Sequence, residues 1–178
     1  MNTKTRNLIL AGLFAALTAI GAFLKIPLGA MSVTLQFLFT AMAGVLLGPK
    51  WGAASQAVYV ALGLVGLPVF TMGGGPSYLF QPSFGFLLGL IPAAWVVGYL
   101  AGESIRLPRI LLAGVAGLAV LYLVGLPYMY AIFNFYLDKP MGVWTAIQVG
   151  MLIYLPGDAL KLVVTAVVVP PLKRVLSH

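Results

Sequence analysis

Asp158 and Lys161 stand three residues apart in YLPGDALKLVV (residues 154–164), a stretch otherwise fit for the interior of a lipid bilayer. On a helix, that spacing sets two side chains about 60° apart around the axis and about 4.5 Å along it, on one face and one turn. A charge at the bilayer centre costs at least about 2.5–3.5 kcal/mol on insertion scales. Both groups must therefore turn inward, where each lowers the other's cost. The pair is then either a self-neutralising structural element or a site. As a site, its chemistry is specific: an ammonium in a dry pocket holds a carboxylate, and a carboxylate accepts from N–H donors. A small molecule with an acid at one end and an N–H-bearing head satisfies both. Pro156 and Gly157, just ahead of the pair, favour the site. Proline leaves a carbonyl near Leu152 without its donor and glycine removes a side chain, as in an opened helix beside a cavity. Tyr154 precedes Asp158 by one turn and Thr165 follows Lys161 by one turn, on the same face.

Three further groups carry polar or close-packing chemistry. SQAVY contains Gln56 and Tyr59, three apart on one face. They either bond a neighbouring helix or form a pocket wall, the amide reading a polar ligand and the ring covering an apolar one. The uncharged segment FTMGGGPSYLFQPS, with Gly73, Gly74 and Gly75, is either a flexible connector or a lid. In the second case Phe70, Tyr78 and Phe80 close over an apolar ligand, and the length of the loop favours a function. Ala11, Ala15 and Ala19, with Gly12 beside them, are small residues at helix-face spacing. They serve either packing within the chain or docking onto another membrane subunit.

The elements that position these groups follow from composition. The chain has 178 residues, 62% of them hydrophobic and 7% charged, against about 25% charged in soluble domains. So few charges cannot solvate a surface, and the mean hydropathy of +1.08 agrees. The chain reads as an integral membrane protein. Spanning backbone must satisfy its own hydrogen bonds, in helices or a closed barrel. The apolar runs are continuous and too long for barrel strands of about ten alternating residues. The expected class is all-α, a single bundle over residues 1–178 with spans near 8–24, 33–47, 51–67, 84–101, 110–133 and 143–169. The first span exceeds the usual apolar core of a signal peptide, about 7–15 residues, and no A-x-A site follows, so it is expected to stay. Pro156 interrupts the sixth. LVGLP recurs at residues 64–68 and 123–127, an echo that Leu/Gly/Val-rich composition explains.

Six spans place both termini on one side. That side carries Lys4, Arg6, Lys50, Arg106, Arg109, Lys173 and Arg174, and the other carries Lys25 and Lys139. The bias puts both termini in the cytoplasm. The outer loops are then Lys25–Ser32, Pro68–Ser83 and Asn134–Gly142. The net charge of +7 orients the chain and does not imply nucleic acid. There is no cysteine, which excludes disulfides and thiolate chemistry. The single histidine, His178, is read as a solvated tail, and no metal site or cofactor is expected. No G-x-x-x-x-G-K-[ST] occurs, so no nucleotide site of that type is expected.

Ordered segments resemble the biotin-specific S components of energy-coupling-factor transporters, the BioY family. They are IPLGAMSVTLQ, AGVLLGPKWGAASQAVYVALGLVGLPVF, GGGPSYLFQPSFGFLLGL and PGDALK. The likeness covers most of residues 8–100 and 150–172. It implies a six-helix subunit in the bacterial plasma membrane that captures biotin from outside. Its partners would be a transmembrane coupling protein and two ATPase subunits. The resemblance also implies that Asp158 and Lys161 contact the ligand and that Ala11 and Ala15 dock the coupling protein; Gln56, Tyr59, Tyr154, Gly74, Gly75 and Tyr78, read from the residues themselves, are the further candidates to line the site. The first and third outer loops would gate the site, and the subunit would topple to present it inward. Where the family reads G-P-T-x-G-Y, this chain reads QPSFGF, with Gln81, Ser83 and Phe86. No covalent chemistry is expected. The rivals are a self-sufficient secondary carrier for a small carboxylate, with Asp158 and Lys161 as an ion relay, and an intramembrane enzyme, for which few parts are present.

Overall fold

A computed structural model describes residues 2–28 and 31–176. Gly29 and Ala30 of the first expected outer loop, and His178, lie outside the described residues. The chain is predominantly helical. Helix α1 (Thr3–Phe23) opens under Asn2, whose side chain accepts from the Lys4 N–H at 3.1 Å and satisfies one of the free donors of the first turn. Helices α3 (Phe84–Ala101) and α4 (Leu107–Ala131) follow a long α2 (Gln36–Leu64), and α4 runs on into a π-helical turn, Ile132–Tyr136. A short α5 (Val143–Ile147) leads through a π-helical turn (Gln148–Leu152) to α6 (Leu155–Leu176). Among the described residues, five helical stretches are long and apolar enough to cross a membrane. Helix α3 packs chiefly on α2 and α4, α1 lies against α2, and α6 bridges α2 and α4.

The helical class holds, with one short departure in the first expected outer loop. The segment after α1 forms an antiparallel hairpin, β1 (Lys25–Leu28) with β2 (Met31–Thr34), Lys25 opposite Thr34. Pro27 cannot continue a helix, and the β-branched Ile26, Val33 and Thr34 suit a pleated strand.

Helix α2 is not straight. A continuous helix would hold Gln36 and Tyr59 about 34 Å apart, yet Gln36 Nε2 donates to Tyr59 Oη at 2.8 Å, and Thr40 Oγ1 donates to Gln56 Oε1 at 3.0 Å. The chain reverses at Gly48, whose φ of 78° suits a residue without Cβ, and Pro49 opens the second arm. Pro49 has no N–H for the Val45 carbonyl one turn back. Lys173, near the end of α6, supplies the missing donor at 3.1 Å and also donates to the Gly102 carbonyl at the end of α3. A residue read only as an orienting cation thus ties three helix ends together.

The close approaches depend on glycine. A Cβ on Gly52 would lie 2.8 Å from the Gly44 Cα, so the two arms of α2 meet backbone to backbone. A Cβ on Gly98 would lie 2.6 Å from both the Gly48 carbonyl carbon and the Pro49 nitrogen, so α3 rests on the reversal itself.

Candidate substrate-binding site

Helix α6 begins at Leu155, so Pro156 sits in its first turn, where the missing donor costs nothing. The expected break within the sixth span therefore takes another form: a π-helical turn and a hydrogen-bonded turn at residues 153 and 154, followed by α6. That placement puts Asp158 in the first turn of α6, where the helix dipole favours an anion. One turn on, Lys161 Nζ lies 2.7 Å from Asp158 Oδ1. The residues are 4% and 8% exposed. The other carboxylate oxygen, Oδ2, accepts from the Tyr122 hydroxyl of α4. The acid is thus held by an ammonium and a phenol in the first turn of a helix, which accounts for a buried charge here.

The pair opens onto a cavity of about 340 Å³, within the range of roughly 300–1,000 Å³ usual for small-molecule sites. Its walls come from the hairpin, the first arm of α2, the loop after α2, α3, α4, the π-helical turn before α6 and α6 itself. The hairpin contributes Lys25 and Thr34, α2 contributes Gln36 and Phe37, and the loop after α2 contributes Thr71 and Tyr78. Apolar surface comes from Phe86 and Leu90 of α3 and Leu121 of α4, while Tyr154, Asp158 and Lys161 supply a polar wall. Lys25 also donates to the Thr71 carbonyl, joining the hairpin to that loop at the cavity's edge. Among the described residues no cluster of His, Cys, Asp or Glu is placed to hold a metal ion.

Of the residues singled out in the sequence, Asp158, Lys161, Tyr154 and Tyr78 meet at this cavity. Gln56 and Tyr59 do not. Gln56 is 0% exposed: its carbonyl accepts from Thr40, and its amide donates to Ser55 Oγ at 3.0 Å and Thr18 Oγ1 at 3.3 Å. Tyr59 accepts from Gln36 and donates to the Val69 carbonyl at 3.1 Å. Both residues join helices, and their polar capacity is taken. Gln56→Leu should accordingly cost roughly 1–3 kcal/mol of stability, by removing the hydrogen bonds to Thr40, Ser55 and Thr18, whose hydroxyls keep only their backbone carbonyl partners, and leave ligand affinity within about twofold. Thermal unfolding and a binding titration check the two halves.

Gly74 and Gly75 shape the loop without lining the cavity. A Cβ on Gly74 would collide with the Leu67 carbonyl, and the Gly75 N–H donates to the Gly63 carbonyl at 2.7 Å. Of the expected aromatic lid, only Tyr78 reaches the cavity. Phe70 is buried between Tyr59 and Tyr78, with ring centroids 5.5 and 4.6 Å away. Phe80 stacks outside on Tyr136 at 4.6 Å. Ala11 and Ala15, expected to dock a partner, face the bundle core at 3% exposure each. The exposed small residues of α1 are Gly12 and Ala16.

Sequence reasoning missed Gln36, Lys25 and Tyr122. Gln36 stands in the quoted segment IPLGAMSVTLQ, and its polarity at a span's edge was the available signal. Tyr122 lies 36 residues from Asp158 in an apolar run, and nothing local marks it.

The profile of the BioY family matches residues 1–178. A probable biotin transporter BioY of Lysinibacillus sphaericus is 41% identical over 174 residues, covering 97% of this chain and 89% of the relative. The biotin transporter BioY of Thermotoga maritima is 40% identical over 170 residues, covering 95% and 96%. Among solved structures, the S-component for biotin from an ECF-type ABC transporter superposes with a TM-score of 0.73 at 28% identity, covering 98% of this chain and 95% of that one. The chain belongs to the BioY family.

Proposed function

We propose that this chain is the subunit of an energy-coupling-factor importer that captures biotin, a transport component and not an enzyme. The observation that carries the reading is the buried Asp158–Lys161 pair opening onto a cavity of small-molecule size. Biotin offers a carboxylate for the Lys161 ammonium and ureido N–H groups for polar acceptors such as Gln36, Thr34 and Asp158. Its fused rings and alkyl chain suit Phe86, Leu90 and Tyr78. The names of the relatives and of the solved neighbour support the same ligand. Titration of purified, ligand-stripped protein tests it. Biotin should saturate a single site, with thiamine and riboflavin giving no binding; comparable binding of all three would refute the assignment.

In this reading the chain forms one bundle in the bacterial plasma membrane. The two arms of α2 each cross, which makes six crossings and returns both termini to the cytoplasm, as the charge bias requires. Lys25 and the hairpin then lie outside, at the entrance to the cavity. Energy comes from a transmembrane coupling protein with two ATPase subunits. Because Ala11 and Ala15 are buried, the docking role passes to the α1 face bearing Gly12 and Ala16, where a Cβ on Gly12 meets nothing within 4 Å. Gly12→Trp should leave biotin binding by the isolated subunit intact. It should lower uptake in cells carrying the energising module by about tenfold or more, the scale of a blocked interface hot spot.

A further inference from the structure

We infer that Tyr122 is a positioning residue that reserves Lys161 for the ligand's carboxylate; this deepens the proposed biotin site and rests on it. Three observations meet at this side chain. Its hydroxyl donates to Asp158 Oδ2 while Lys161 holds Oδ1, so the two carboxylate oxygens have different partners from different helices. Tyr122, Asp158 and Lys161 all line the cavity. The Tyr122 ring also lines a second, apolar hollow of about 580 Å³ between α4 and α5, with Leu123, Leu126, Ile147 and Met151. The phenol therefore forms part of the wall between the ion pair and the lipid-facing side of the bundle.

The consequence is a division of donors. An ammonium has three N–H groups, and a carboxylate free to turn can present both oxygens to it. With Oδ2 held by Tyr122, Asp158 offers Lys161 one oxygen only. One ammonium donor is used, and two serve the cavity. Without the phenol hydroxyl, the carboxylate gains the freedom to swing Oδ2 onto Lys161 and compete with an incoming acid. Tyr122 thus sets how much of the lysine the ligand can reach, without needing to touch the ligand itself.

The test compares biotin with biotin amide, since only the free acid depends on the ammonium. Tyr122→Phe should weaken biotin by about tenfold, in line with one hydrogen bond to a charged group, and biotin amide by less than about threefold. In an Asp158→Asn background the same substitution should shift the acid-to-amide ratio little, because the competing anion is gone. Tyr122→His keeps a ring and an N–H donor and serves as the second variant: it should retain more of the acid preference than Tyr122→Phe. A purely structural Tyr122 would lower the unfolding temperature and weaken both ligands equally, and that result, or an equal loss in the His and Phe variants, overturns the inference. If the unaltered protein fails to bind biotin, the functional reading itself falls, which is a different outcome.

Discussion

Lys161→Ala should weaken biotin binding by about 100-fold, the scale of removing one partner from a buried hydrogen-bonded charge pair, and biotin amide far less. Two consequences of the truncation must be separated. The ligand's carboxylate loses its ammonium, and Asp158 becomes a buried anion without its cation. The second effect alone should lower stability by roughly 3–5 kcal/mol, because Asp158 is 4% exposed and cannot recover water in compensation. A double variant, Asp158→Asn with Lys161→Met, distinguishes them. Neutralising both groups removes the orphaned charge, so most of the stability should return while acid binding stays lost. Unfolding in detergent and titration with both ligands read the two quantities. Full biotin affinity in the double variant would return the pair to a structural role.

Gly98→Val should be among the most damaging substitutions outside the cavity, at about 3 kcal/mol or more. Overpacking is tolerable where a flexible side chain can move. Here the atoms in the way are the Gly48 carbonyl carbon, the Pro49 nitrogen and, at 2.7 Å, the Gly44 carbonyl oxygen. All belong to backbone, at the point where α2 reverses. Relief requires α3 to withdraw from α2, and the cavity takes walls from both, through Phe86, Leu90, Gln36 and Phe37. Ligand binding should therefore be lost together with the fold, giving low recovery of monodisperse protein. Gly12→Ala, on the open face of α1, is the control and should change stability by no more than about 1 kcal/mol.

The helical class was legible because so few charged residues leave only lipid as solvent, and continuous apolar runs in lipid must be helices. The reversal in α2 was marked by Gly48–Pro49, a pair that no uninterrupted helix tolerates. The β1–β2 hairpin was hidden because four-residue strands carry too little periodicity to separate from a loop. The π-helical turns before α6 were hidden because their ladder shift leaves no compositional trace, and Pro156 drew attention to the wrong carbonyl. In the site, the three-residue spacing placed Asp158 and Lys161 together because that contact is local. Tyr122 reaches Asp158 through the packing of α4 on α6, which no spacing encodes.

Gln56 and Tyr59 illustrate a second limit. A polar group within a span must find partners, but the sequence does not say whether they come from protein or ligand. The fold answers by supplying Thr40, Thr18, Ser55 and Gln36. The small residues of α1 illustrate a third: Ala11, Ala15 and Ala19 repeat every fourth position, but so do Gly12 and Ala16, and only packing decides which row faces inward.

A crystal structure of the biotin complex tests the central claim most directly. The ligand's carboxylate should lie about 3 Å from Lys161 Nζ, with Asp158 still held by Tyr122 and the fused rings in the cavity beside Phe86 and Leu90. Biotin bound elsewhere, or bound with its acid turned away while Lys161 stays closed on Asp158 alone, would contradict the account.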